Sequence, residues 1–398
     1  MSHSISSKPT SSQTSRKEDA KSYWSQIDWT PFLFLTLTPV AAVILTTWYL
    51  LTESLTWPIV ILFFSMYFLT SLSVTAGYHR LFAHKAYSAH PAVQWFFALF
   101  GAASFQNSIL LWAGDHRVHH RHVDTDGDPY NIKRSFFFAH IGWMLLKSDY
   151  RKSTEPYSRD LRKDPIVMFQ HNHYVPIALL MGFGLPTLIG ALFGSALGGL
   201  AIGGFLRLVL VHHMTFFINS LCHTLGSQPY TDSNTAKDSW LMALFTNGEG
   251  YHNYHHYFAN DYRNGIRWFH WDPTKWTIRL LSALGLAWDL KTTPEEEILQ
   301  ARMLMDEKKL RRSWPQSFER FSEHLEALKT KIYQTQTRLQ ELKAESQRLR
   351  QEMPERWRER RELIRAELKE ARRELRLHLD QWQALIRRQG PFAAAAQH

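Results

Sequence analysis

Four stretches of the chain are apolar for about 20 residues each, the length needed to cross a bilayer. They run from about Pro31 to Leu51, Trp57 to Gly77, Val175 to Phe193 and Leu197 to Ser220. Only a few residues join the first to the second and the third to the fourth, which predicts two transmembrane hairpins. A further apolar stretch, about Val93 to Trp112, carries Gln106, Asn107 and many aromatics. It is expected at the membrane interface or inside the protein. Residues from the fourth stretch to about Lys291 are rich in Trp and His but too polar on average to re-enter lipid, and they read as a cap.

A different period takes over further on. Phe318, Phe321, Leu325, Leu328, Ile332, Thr335, Leu339, Leu342, Ser346, Leu349 and Met353 alternate in steps of 3 and 4, a heptad seam of coiled-coil type. Pro354 interrupts it. The seam resumes with Trp357, Ile364, Leu368, Ala371, Leu375 and Trp382, shifted by four residues, which predicts a kink or a helical hairpin there. Gly390 and Pro391 end it. The expected fold class is an all-α integral membrane protein: four transmembrane helices in two hairpins, a histidine-rich cytoplasmic cap and a C-terminal coiled-coil helix. The expected organisation is a disordered polar arm over 1–28, a membrane domain over 29–295, a basic helical extension over 296–390 and a disordered end over 391–398.

Composition changes this picture only when taken by segment. The 398 residues carry a net charge of +10 and a mean hydropathy of −0.30, values typical of a basic soluble protein. Residues 301–398, however, hold 23 Lys and Arg against 15 Asp and Glu, a net of +8, which leaves only +2 for the first 300. That tail reads as an oligomerising or spacer element, or as a docking surface for an acidic electron donor or anionic lipid. Twelve Lys and Arg lie between the second and third apolar stretches, whereas the two short connections offer only Glu53. The positive-inside rule then puts both termini and the large middle segment in the cytoplasm. The single cysteine, Cys222, excludes an intrachain disulfide framework, and the polar start of the chain argues against a cleavable signal peptide.

Histidine is the chemical signal. Seventeen of the 21 fall between His79 and His270, and they cluster. His79-Arg-Leu-Phe-Ala-His84 follows the second apolar stretch; Asp115-His116-Arg-Val-His119-His120 follows the Val93–Trp112 stretch; Gly248-Glu-Gly-Tyr-His252-Asn-Tyr-His255-His256 lies in the cap. In both H-x-x-H-H clusters the three imidazoles share one helix face and are expected to converge on one point. His79 and His84, about 140° apart on a regular helix, need a helix end or serve two metals. Asn219-Ser-Leu-Cys-His223 adds an amide and a ninth imidazole. Imidazole suits zinc, copper, iron and nickel, and nine such ligands exceed one ion's needs, so two metals are expected. His90, His122, His140, His171, His173, His212, His213 and His270 stand apart and read as ordinary core or interface residues. The zincin, P-loop, nucleophile-elbow and dinucleotide-binding patterns are absent, and no carboxylate lies within H-x-x-H-H to serve hydrolysis.

H-R-L-F-A-H, D-H-R-V-H-H, N-S-L-C-H and G-E-G-Y-H-N-Y-H-H, with D-P-Y-N and F-F-F-A-H-I-G-W, resemble the histidine boxes of membrane fatty-acid desaturases. They are most similar to the acyl-CoA Δ9 (stearoyl-CoA type) group, from about Pro31 to Lys291. The resemblance implies a di-iron centre on His79, His84, His116, His119, His120, His223, His252, His255 and His256, with Asn219 bound through a water. It implies O₂ as co-substrate and a cis double bond, at Δ9, in a C16–C18 acyl chain. Gln106, Trp112 and Thr215 match positions lining the bend of the acyl tunnel, and Ser71 and Tyr67 match positions closing its far end. Asp115, Asp124 and Glu249 are candidates to orient the histidines. Lys147, Arg151 and Lys152 are candidates for an anionic headgroup. One departure stands out: animal enzymes carry an Arg that contacts CoA where this chain has Gly114, so lipid or carrier-protein acyl groups also fit. No appended cytochrome b5 signature is present, which calls for a separate donor, cytochrome b5-like or ferredoxin-like, with its reductase. Membrane lipid and a second copy through the coiled coil are the other expected partners; no nucleic acid is. A di-iron hydroxylase and a non-catalytic membrane scaffold are the alternatives.

Overall fold

The computed structural model describes residues 24–147 and 155–388. Four helices among the described residues are long and apolar enough to cross a membrane: α1 (Trp29–Thr52), α2 (Trp57–Ala83), α6 (Tyr174–Leu192) and α7 (Ala196–His223). They extend the apolar runs, most of all at the ends of α2 and α7, where polar residues and histidine continue the helix. Tyr49, Ile59, Leu62, Met66, Ala201 and Ile202 pack together between α1, α2 and α7, while Ile61, Phe64, Val43 and Leu188 stay exposed on the outside, as lipid-facing positions require.

The Val93–Trp112 stretch is not one element. It divides into α3 (Pro91–Ala102) and the start of α4 (Ile109–His122). The cause is the turn between them, where Phe105 and Asn107 take φ of 52° and 75°, conformations a helix does not contain. His90 caps α3 by accepting from the Ala92 N–H. The helix α5 (Pro165–Asn172) begins where Asp164 accepts from the N–H groups of Ile166 and Val167. Its Gln170 accepts from the Ile109 N–H at 3.0 Å and donates to Tyr78 Oη at 2.6 Å, which ties the start of α4 to α2.

After α7 come α8 (Trp240–Phe245), α9 (His252–Tyr257) and α10 (Pro273–Ala283). A two-stranded antiparallel sheet, β1 (Ser88–Ala89) with β2 (Ala287–Trp288), joins the end of this region to the chain just beyond α2. One core, with Tyr78, Phe82, Phe97, Ile109, Leu110, Val167 and Ile278, lies under α2, α3 and α4. Of the arm expected over 1–28, residues 1–23 lie outside the described residues and 24–28 do not hang free: Ile27 is buried and bridges Leu146. Arg151, Lys152 and the end expected over 391–398 also lie outside the described residues.

The chain divides into two compact units, with the second taking over from Pro294. That unit contains α11 (Glu295–Ser313), α12 (Pro315–Glu352) and α13 (Pro354–Arg388). Met303, Leu310, Leu325, Ile332 and Trp382 share one buried cluster, and Leu339, Leu342 and Ala371 share another. At Pro354 the chain reverses and does not merely kink. Met353, ahead of the proline, is driven to φ −138° and ψ 67°, and α13 packs back along α12.

Candidate metal centre

The end of α2 brings the first two histidines together. From Ser73 to Ala83 its hydrogen bonding loosens to the i→i+5 pattern, and the His84 N–H reaches the His79 carbonyl at 3.0 Å. Residues five apart then sit above one another, so the rings of His79 and His84 lie 4.8 Å apart. The widening removes the difficulty that a regular helix poses for this pair. Arg117 of α4 clamps the end: it donates to the Phe82 and Ala83 carbonyls at 2.7 and 2.8 Å and pairs with Asp160 at 2.7 Å, meeting carbonyls that a helix terminus leaves unpaired.

The nine histidines sort into two groups. His79, His84, His116, His120 and His255 form one; His119, His223, His252 and His256 form the other. The expectation that each H-x-x-H-H cluster converges on a single point is therefore wrong. In each cluster the i and i+4 residues lie about 40° apart on the helix, while the i+3 residue lies about 60° away on the other side. His119 accordingly parts from His116 and His120, and His255 from His252 and His256. Each cluster serves both groups.

Nitrogen geometry tests whether these groups fit a metal. Nε2 of His255 stands 2.9 Å from Nε2 of both His79 and His120, and the His84–His116 and His223–His252 pairs stand at 2.8 and 3.1 Å. Two imidazoles on one ion at about 2.1 Å and at right angles would place their nitrogens about 3.0 Å apart. The outward nitrogens decide the tautomers, as assigned from the hydrogen-bond network. His79 Nδ1 faces Glu249 at 2.9 Å and His119 Nδ1 faces Asp128 at 2.8 Å, so each proton sits outside and a lone pair points in. His223 Nδ1 faces the Thr235 hydroxyl at 2.8 Å, and that hydroxyl donates to Asp124 at 2.7 Å. Inward lone pairs without protons between them repel unless a cation lies among them. Burial first, and neighbouring imidazoles second, push His84, His116, His120, His252, His255 and His256 well below the usual histidine pKa, which keeps them neutral donors. The donor set fits a metal centre.

The supporting carboxylates are buried and held. Burial alone would raise the Glu249 carboxyl, but the charges and hydrogen bonds of His79 and Arg80 bring it below the ordinary range. Arg80 reaches Glu249 at 2.9 Å and Asp272 at 3.1 Å, and Asn264 donates to Glu249 at 2.8 Å. Asp128 accepts from the N–H groups of Asp124 and Tyr130. The glycines of G-E-G have separate reasons. Gly248 takes φ +103°, and a Cβ on Gly250 would collide with the backbone of Ala243 and Ser239.

A cavity of about 700 Å³, ligand-sized, opens onto both groups. Gln106, Trp112, Thr215, Asn219, Asp115 and Ser71 line it together with His79, His116, His119 and His252. Gln106 donates to Thr215 at 3.0 Å and accepts from Trp112 at 3.3 Å, so these three candidates meet in one hydrogen-bonded wall. Asn219 lies one turn before His223 on α7. Ser71 accepts from Asn247 at 2.9 Å, whereas Tyr67 is not among the lining residues and donates instead to the Phe245 carbonyl at 2.6 Å. Of the proposed orienting acids, Glu249 touches His79 directly, Asp124 acts through Thr235, and Asp115 lines the cavity. Asp128 and Thr235 were not singled out from the sequence, although D-P-Y-N contains Asp128. Among the histidines read as ordinary, His212 bonds the Ser104 carbonyl at 2.7 Å and His140 bonds Ser220 and His213 at 3.0 and 3.1 Å.

Paired imidazole groups beside an apolar cavity, carried on helices fit to cross a bilayer, define a membrane protein with a histidine-rich metal centre. Comparison with known proteins narrows this. The fatty acid desaturase family model matches residues 55–287. The probable acyl-CoA desaturase of Schizosaccharomyces pombe is 42% identical over 78% of this chain and 66% of its own length. Acyl-CoA desaturase 1 of Saccharomyces cerevisiae is 45% identical over 61% of this chain and 48% of its own, and the stearoyl-CoA desaturase of Homo sapiens is 37% identical over 58% and 66%. The chain thus spans less than two thirds of the length of these relatives. It belongs to the fatty acid desaturase family, a family of oxidoreductases.

Proposed function

We propose that this protein introduces a cis double bond at Δ9 into saturated C16–C18 acyl chains, using O₂ and a di-iron centre. One observation carries the reading: two adjacent groups of five and four imidazoles open on one apolar cavity. Iron, when bound, would supply the O₂ chemistry that takes hydrogen from an unactivated methylene, which no side chain can do. The balance is one saturated chain, O₂, two electrons and two protons giving one alkene and two waters. The chain's own residues hold and aim the reactants. The nine histidines would be the iron ligands, and Asn219, facing the cavity beside the smaller group, would act through a water. The Gln106–Thr215–Trp112 wall would set where the acyl chain bends. Ser71 and Tyr67, one turn apart on α2, would limit its length.

The names of the relatives support an acyl-CoA substrate, and Gly114 makes the carrier a separate question for assay with CoA, lipid and carrier-protein esters. The basic residues between α2 and α6 support a cytoplasmic site. Electrons would come from a separate cytochrome b5-like or ferredoxin-like donor with its reductase. Expression in a desaturase-deficient host, with gas-chromatographic analysis of fatty acids, tests the reading. Palmitoleate and oleate are the expected products; a hydroxylated product, or none, overturns it. His255→Ala and His119→Ala, one from each group, should abolish the product while the protein stays in the membrane.

A further inference from the structure

We propose that α8 and α10, in the segment that is polar on average, form a lipid-seated foot that rests in the bilayer beside α2. The proposal rests on α2 as a membrane span and on a ladder of contacts along one face of it. Tyr67, Ser71, Thr75 and His79 are spaced by four residues, about 6 Å for the α-helical step from Tyr67 to Ser71 and less beyond Ser73, where the helix widens. Tyr67 bonds the Phe245 carbonyl at 2.6 Å and Ser71 bonds Asn247 at 2.9 Å. The Thr75 and Thr274 hydroxyls are 2.8 Å apart, and His79 meets Glu249 at 2.9 Å. The end of α8 and the start of α10 are thereby fixed to known heights on α2. Counted from Trp57, Tyr67 lies about 15 Å and Thr75 about 27 Å along the helix. Both heights fall within a hydrocarbon core about 30 Å thick.

The side chains at these heights are arranged the opposite way from a soluble surface. In α10 and the loop before it, the charged Asp272 and Lys275 are buried. Lys275 Nζ donates to the Gly265 and Arg267 carbonyls at 2.6 and 2.8 Å. The apolar residues point out instead: Trp268 is 86% exposed, Leu280 60% and Leu284 63%. Trp276, Leu280 and Leu284 recur every four residues and form a stripe along α10, with Ile278 on the buried side. On α8, Trp240, Leu241, Leu244 and Phe245 are all exposed. Arg267 and Arg279 stand among these residues with Trp268 and Trp271, the mixture that favours the headgroup region. Lipid is the occupant because the surface continues from a helix whose own outer face is already apolar.

Site-directed spin labelling of the full chain in lipid nanodiscs tests this. Cys222 is buried, so the parent chain is the blank. Nitroxides at Leu241→Cys and Leu280→Cys are compared with Ile61→Cys on the outer face of α2 and with Lys343→Cys on the exposed face of α12. The foot requires both labels to collide with O₂ in preference to a water-soluble nickel chelate, as at Ile61→Cys. Chelate access at either position like that at Lys343→Cys overturns it. Spin–spin broadening that reports a second copy seated on the surface overturns it as well.

Discussion

Glu249 holds two things at once. It accepts the outward proton of His79 and neutralises the buried Arg80, with Asn264 completing its hydrogen bonds. Replacing it with Gln keeps the volume but leaves Arg80 with Asp272 alone and turns a charged acceptor into a neutral one. Partners that orient ligating histidines typically contribute 10–100-fold to metal affinity or activity. Glu249→Gln should lower metal affinity by about that factor, read by metal analysis during chelator titration; unchanged affinity would remove Glu249 from the support of the site. Asp160 gives a prediction in pH. Partial burial alone would raise its carboxyl, but hydrogen bonds and charge from Arg117 and Lys85 outweigh that and hold it far below the usual range. A depressed folded-state pKa contributes stability above the unfolded value of about 3.9 and loses it as the pH falls towards the folded value. Asp160→Asn should therefore lower the melting temperature at neutral pH, and the deficit should shrink below about pH 4. A deficit independent of pH would mean that the charge of Asp160 is not what stabilises the clamp.

At the scale of elements, α7 fastens the turn that shapes the cavity. Arg207, fully buried, donates to the Ala103 and Gly182 carbonyls at 2.7 Å each, His212 bonds the Ser104 carbonyl, and Thr215 accepts from Gln106. Phe105 and Asn107, the two residues at positive φ, flank Gln106 within this turn. Arg207→Met should let the turn shift and spread the double bond over neighbouring positions, detected by mass spectrometry of the product. A smaller amount of product at one unchanged position would assign Arg207 to stability only. The same elements show what could be read from sequence. Apolar runs gave the spans, and histidine spacing gave all nine members of the two groups, because helix length and face follow from local periodicity. Which group each histidine joins did not follow. That depends on the loosened turn at the end of α2 and on opposed directions within one helical turn. The hydrogen-bond relays were also hidden: Thr235 and Asp124 meet across 111 residues, a distance no local pattern encodes.

The chain up to Thr293 and the helical extension from Pro294 carry the same net charge, +5 each, because Glu295, Glu296 and Glu297 open the extension ahead of its basic run, and the family match over 55–287 ends before the extension begins. Removing the residues from 317 onward should leave membrane insertion and metal content as they are. Loss of either would make the helical extension part of the desaturase unit, while a fall in donor-dependent turnover alone would identify it as the place where the donor docks. The reversal at Pro354 also has a practical use. With 38 residues at about 1.5 Å each, α12 is a rod about 57 Å long. Trp382, near the end of α13, donates to Asp306 of α11 at 3.2 Å, so the chain comes back to where the rod began. A reporter spliced in after Ile386, which with Leu385 packs in the cluster that holds Phe318, would therefore sit near the foot of the rod, whereas one spliced between Met353 and Pro354 would ride at its tip. Two such fusions on one chain would make a ruler with a built-in length.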